Sequence, residues 1–252
     1  MSVRGPDPGF FVGYFKTVPP AVRRFSLAIA VGLVAALAGA ALALALSPEH
    51  PGSGGYSNEL QERHLTGVLE TRPYPLLRIP ASNGRPAHAV MLAGQIKTGV
   101  QSAAAALDGA TVDAGGVMVR RGDLDMLLVG GPVGLRAPAE GANIPGPSAP
   151  EFLGRWRLVG EICDGKCAAG AMRPGTGLAH KACANLCIVG GVPPVFVSTA
   201  SVEGAGFLLL ADADGGPLPA RYLARTGERI AIEGDIERRD DLLILKVDEV
   251  VP

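Results

Sequence analysis

Aromatic side chains make up only 5% of this chain, too few to build a platform on which bases stack. A dominant charge of one sign is missing as well. Lys and Arg number 23, Asp and Glu 24, and the formal net charge is −1. No extended field is therefore available to grip nucleic acid or an anionic surface, and nucleic acid is excluded as a partner. The familiar catalytic signatures are also absent: no G-x-S-x-G elbow, P-loop, H-E-x-x-H or dinucleotide glycine fingerprint occurs. Cysteine is absent outside residues 163–187, where all four stand. Among them there is no C-x-x-C-H haem signature and no Rieske-type pairing of Cys with His. Glycine (35 residues) and proline (21 residues) abound instead, which favours short strands joined by many turns.

One apolar run is long. Residues 25–46, FSLAIAVGLVAALAGAALALAL, carry no charge. As a helix they reach about 33 Å, enough for a hydrocarbon core of about 30 Å. Arg4, Lys16, Arg23 and Arg24 precede the run and Glu49 comes after it. The positive-inside rule leaves residues 1–24 in the cytoplasm and exports the chain beyond the run. The expected location is the bacterial inner membrane, single-pass, with the C-terminal domains in the periplasm and the membrane engaged through residues 25–46. A cleaved signal peptide is the alternative, with an A-x-A pattern at Ala43 and Ala45 before Ser47. The length of the run and of its leader favours an uncleaved anchor. Pro6, Pro8, Pro19 and Pro20 make residues 1–24 an irregular segment, with Phe10, Phe11, Tyr14 and Phe15 suited to the lipid interface.

Residues 47–58 read as a flexible spacer and 132–152 as a Pro/Gly-rich linker. They bound a first domain at 59–131 and a second at 153–252. The two domains resemble each other. An ungapped offset of 118 aligns Gly109 with Gly227, Gly116 with Gly234, Arg120–Arg121 with Arg238–Arg239, and Asp123–Leu124 with Asp241–Leu242. LTGVL (65–69) likewise matches LVGEI (158–162). This is an internal duplication. Each copy orders strands, a short helix (QSAAAAL 101–107; PARYLAR 219–225) and a closing hairpin with an Arg-Arg turn. The expected fold is mainly β: an N-terminal transmembrane helix, then two tandem OB-like small β-barrel domains. The four turn arginines read as solvated residues paired with Asp123, Asp240 and Asp241. His64 and His88 read as ordinary surface residues, and Lys97 as a lysine snorkelling from a buried strand.

The cysteines lie in an insert after the first strand of the second domain, with no counterpart in the first. Cys163 and Cys167 are four apart; His180, Cys183 and Cys187 come next at helical spacing i, i+3 and i+7, on one face of a helix over 179–188. Three readings stand. The foremost is two structural disulfides across the two segments, suited to an oxidising compartment. The next is a metal site built from Cys163, Cys167, His180, Cys183 and Cys187, with Cu or Zn as the ion. The last is a redox-active dithiol, although such pairs ordinarily have two intervening residues.

The stretch GEICDGKCAAGAM…HKACANLCIVGGVPPVFV resembles a motif of small exported bacterial domains of OB-like fold, mostly of uncharacterised function. Gly160, Ile162, Cys167, His180, Cys183, Cys187, Gly190, Gly191, Val195 and Val197 carry the resemblance, and Asp164 stands at the motif's aspartate. Cys163 is additional to that pattern. The resemblance implies fold and export, and it covers neither the apolar run nor the first domain.

With no catalytic motif, the leading expectation is a membrane-anchored, periplasmic, non-catalytic accessory subunit of a membrane complex, respiratory chains included. Other subunits of that complex are the implied partners. The alternative is a metal-binding protein that handles copper or zinc through the Cys/His insert. An exported enzyme using a barrel cleft is the third class.

Overall fold

The computed structural model describes residues 18–46, 52–57, 61–82, 84–138 and 144–251. The chain divides into two units, Met1–Glu49 and His50–Pro252.

The first unit holds one helix, α1 (Pro20–Leu46). Its apolar span, Pro20–Ala43, has a mean hydropathy of 2.3, and by length and composition fits a membrane crossing or a signal sequence. The helix starts earlier than residue 25. Pro20 takes the first helical position, where its missing N–H removes no bond, and Arg23 N donates to Pro19 O at 2.9 Å. Residues 20–24 are thus helical rather than irregular. The expectations for residues 1–17, including the aromatic cluster at 10–15, and for Ser47 at the candidate cleavage point lie outside the described residues.

The second unit is mainly β. Its strands are β1 (Gly55–Tyr56), β2 (Arg63–Glu70), β3 (Leu76–Ile79), β4 (His88–Gly94), β5 (Thr111–Arg121), β6 (Leu124–Val129) and β7 (Leu135–Arg136), then β8 (Glu151–Asp164), β9 (Pro194–Val202), β10 (Ala205–Asp212), β11 (Ile230–Arg239) and β12 (Leu242–Val251). Strands β8 to β12 close into a barrel in the order β10-β12-β11-β8-β9. Strands β2 to β6 bond in a second ring, β5-β2-β3-β4-β6, with β6 returning to β5. In each ring only the third and fifth strands are parallel: β4 with β6, and β10 with β12. A short helical segment precedes the fourth strand of each, α2 (Gln101–Ala104) with a 3-10 turn in the first and a 3-10 turn Ala220–Arg225 in the second.

The offset of 118 holds at the level of register. Gly116 pairs with Val129 and Arg121 with Leu124; Gly234 pairs with Val247 and Arg239 with Leu242. Gly109 N donates to Leu69 O at 2.8 Å, and Gly227 N to Ile162 O at 2.9 Å. Gly67 and Gly160 explain their own recurrence. A Cβ at Gly67 would stand 2.4 Å from Arg78 O, and one at Gly160 2.2 Å from Val197 O. Only glycine lets the first strand approach the second this closely.

Strands β4 and β10 are buried on both faces along nearly their whole length. In β4, Val90 and Leu92 point into the first ring while Ala89, Met91 and Ala93 join a cluster shared with the barrel. In β10, Leu208 and Leu210 fill the barrel while Phe207 and Leu209 join that same shared cluster. Alternate residues face opposite sides of a strand, so the unbroken apolar runs here record that the two rings pack on each other through their third strands. Each such Leu contributes roughly 1.5–3 kcal/mol by burial.

The segments read as spacer and linker carry short strands. β1 pairs with the overhang of β5 at Val119 and Arg120, beyond the end of β2, and β7 pairs with β5 at Asp113 and Ala114. β8 begins at Glu151, within the Pro/Gly-rich stretch. The turn arginines have other partners than expected. Arg120 reaches Asp125 at 3.1 Å, Arg239 reaches Glu70 at 2.6 Å, Arg238 reaches Glu151 at 2.6 Å, and Arg121 donates to Gly52 O at 2.7 Å. Arg239, on Glu70, and Arg121, which also donates to Ala168 O at 3.3 Å, reach across the junction, whereas Arg120 and Arg238 stay within their own rings. His64 is exposed, but His88 is buried at the start of β4, because that strand is covered on both sides.

Candidate metal centre

The insert departs from the end of β8. Cys163 and Asp164 are its last two residues, held in register by Val195 and Pro194 of β9. The chain then makes one π-helical turn, Cys167–Ala171, a wide turn often found at functional sites. Gly170 in it has φ 108°, and a Cβ there would stand 2.2 Å from Gly54 C. A loop leads to a 3-10 turn, Leu178–His180, and then to helix α3 (Lys181–Val189). His180 thus sits one residue ahead of the α-helix, while Cys183 and Cys187 project from one side of it at i and i+4.

Several contacts fix the insert on the barrel. Gly177 N donates to Glu161 Oε2 at 2.9 Å, and Lys181 Nζ reaches Glu228 Oε1 at 2.6 Å. The first ring grips the far end of α3. Gly99 N donates to Gly190 O at 2.7 Å, and Gln101 Nε2 donates to Gly191 O. Lys166 is buried, and its ammonium donates to the carbonyls of Gly94 and Ile96. The turn after β4 is thereby held over the cysteines, and it carries Lys97.

All four cysteines are free, so the expectation of two disulfides is corrected. Each sulfur has another partner. The Cys163 thiol donates to Gly175 O at 2.8 Å, and Lys97 Nζ donates to Cys183 Sγ at 2.6 Å. The sulfurs of Cys167 and Cys187 lie within 4.8 Å of each other, beside Asp164.

The expected site residues converge, although not into a single set. Donor atoms of Cys167, His180 and Cys183 lie within 4.8 Å of one another, as do those of Asp164, Cys167 and Cys187, and those of Cys163, Asp164 and His180. Cys167 is the sulfur common to two of these groups. Cys163 stands beside Asp164 and His180, deep in the junction.

Asp164 organises the cluster. Its Oδ2 lies 3.0 Å from His180 Nε2, and its Oδ1 accepts Cys167 N at 2.9 Å. Both side chains of the His–Asp pair are almost wholly buried. With Nε2 on the carboxylate, Nδ1 is the nitrogen left to act as a ligand, the arrangement that orients metal-bound histidines.

The electrostatics divide the thiols. The neighbouring Cys167 thiol, with the nearby charges of Lys166 and Lys97, lowers the Cys187 pKa to about 7 against the cost of its burial. Cys167 is pushed up, first by the neighbouring Cys187 and then by burial. Burial raises the Cys163 thiol, and the neighbouring Asp164 adds to the rise. Thiolate is the metal-binding and nucleophilic form, so within the Cys167–Cys187 pair Cys187 is the sulfur readier to ionise.

The cluster opens on a cavity of about 290 Å³ lined by Cys167, Cys183, Cys187, Lys97, Lys166 and Met172, among others. Lys97 is not on the strand: β4 ends at Gly94, and Lys97 stands in the exposed turn beyond it. Sequence reasoning missed Lys166 and Met172 and gave Asp164 no role. Asp164 carries a local signal, standing next to a cysteine and three residues before another. Lys97 is 86 residues from Cys183 and carries none. No protein-family model matches the chain, and neither a curated protein nor a solved structure matches it.

Proposed function

We propose that this chain is a membrane-tethered, exported protein that holds a soft metal ion, copper or zinc, at the junction of two OB-like barrels. The observation that carries the reading is the convergence of free Cys167, His180 and Cys183 donor atoms within 4.8 Å, with Cys187 adjoining Cys167. Thiolate and imidazole donors suit these ions. The OB-like assignment rests on two five-stranded Greek-key rings with a short helical segment before the fourth strand. The tether and periplasmic side rest on α1 and on the arginines at its N-terminal end. Kinship with the small exported Cys/His domains belongs to the same proposal.

Metal analysis of the full chain, purified anaerobically from membranes, tests it. One equivalent of copper or zinc, lost on Cys167→Ser and on Cys183→Ser, is the expected result. Metal-free protein with two disulfides contradicts it.

A second reading, the non-catalytic accessory subunit of a membrane complex, is favoured by a different observation. Ile96, Leu178, Leu186 and Val189 are exposed by 73%, 67%, 59% and 71%, on the insert and on the turn that covers it. Exposed apolar surface of this kind marks a protein contact. Both readings hold together if the subunit's contribution to its complex is the ion.

A further inference from the structure

We infer that the ion held in the junction cleft is monovalent copper, and that Met172 is the ligand that selects it. The inference rests on the metal-site reading and narrows it to one ion.

Met172 comes directly after the π-helical turn that carries Cys167. It lines the same cavity as Cys167, Cys183 and Cys187, and its Sδ lies 3.7 Å from Cys183 Sγ. It remains 45% exposed, so core packing does not account for its position. The Cys183 thiol points at the thioether. Once that thiol ionises on a metal, the thioether lone pairs are free to face the same ion. Thioether sulfur is a soft donor that copper in its monovalent state accepts, whereas zinc sites draw on thiolate, imidazole and carboxylate.

The test titrates the detergent-solubilised full chain anaerobically with Cu(I) against a chromogenic chelator, and separately with Zn(II). Wild type, Met172→Leu and Cys183→Ser are compared, with circular dichroism to verify folding. Leucine is close in volume to methionine, so the cleft wall is retained. The expected result is one Cu(I) bound in preference to Zn(II), with Cu(I) affinity falling at least tenfold in Met172→Leu and Zn(II) affinity unchanged. Equal effects on the two ions, or no effect on either, overturn the copper assignment and leave the metal site standing. Failure of wild-type protein to bind either ion overturns the metal-site reading itself. X-ray absorption at the copper edge gives an independent check: an added sulfur scatterer must be lost in Met172→Leu.

Discussion

Asp123 and Asp241 occupy the same turn of their respective rings, and each binds the other ring's third strand. Asp123 accepts from Gly206 N at 3.1 Å and from Phe207 N at 3.3 Å, and Asp241 accepts from Ala89 N at 2.7 Å. Phe207 and Ala89 differ by the same offset of 118 as the two aspartates. The rings therefore meet by equivalent surfaces, as the two halves of an isologous dimer do, with the shared apolar cluster behind these bonds.

The exchange predicts a cost for breaking either half. Alanine at Asp123 or Asp241 leaves strand N–H groups without a partner at the junction, which costs about 1–3 kcal/mol. Both bonds join the same two rings, so the double variant should depart from additivity. Denaturant unfolding of the full chain in detergent measures all three; unchanged midpoints would contradict the exchange.

Tyr74 gives a pH dependence. Its Oη accepts Leu218 N at 2.9 Å across the junction, and burial pushes its pKa up to about 12 from 10.0. A group whose pKa is raised by folding keeps its full contribution below the unfolded value and loses it as pH rises through the folded one. Stability should thus hold up to about pH 10 and fall towards pH 12, by roughly 2–3 kcal/mol. Unfolding midpoints across that range check this, and Tyr74→Phe should flatten the fall.

Much of the double-ring arrangement is legible in the sequence because register is local. Gly109 and Gly227, the Arg-Arg turns and the glycines at 67 and 160 each report a geometry set by near neighbours. Packing between the rings is not local, and there the reading fails. Arg239 reads as a solvated turn residue, yet it reaches back to Glu70, and the buried His88 reads as surface. The candidate site divides the same way. Helical spacing places Cys183 and Cys187 together, and the cluster of Cys and His announces itself. Lys97 enters from the other ring, and only the fold brings it to Cys183.

Asp164 should act through His180. In Asp164→Asn the amide oxygen still accepts Cys167 N, while its NH₂ donates to His180 Nε2. The imidazole proton then moves to Nδ1, the nitrogen left for a ligand. Metal affinity should fall about 10–100-fold with the fold retained. Competition titration reads the affinity, and nitrogen NMR of the histidines reads the tautomer; an unchanged tautomer contradicts this role.

Gly170 should tolerate no side chain. Its φ is 108° and a Cβ meets the backbone of Gly54 and Gly55, so Gly170→Ala must displace either β1 or the π-helical turn bearing Cys167. The expected outcome is weakened metal binding together with a stability loss of about 1–3 kcal/mol from the strained backbone. Gly84→Ala, at a positive-φ glycine with open space around it, is the comparison that separates backbone strain from the clash.

Native mass spectrometry of the full chain, released from micelles after anaerobic purification, reads sulfur chemistry and metal content in one spectrum. The account predicts a mass equal to the reduced polypeptide plus one copper ion, falling to the reduced polypeptide after chelation. A metal-free mass lighter by the hydrogens of two disulfides would contradict it.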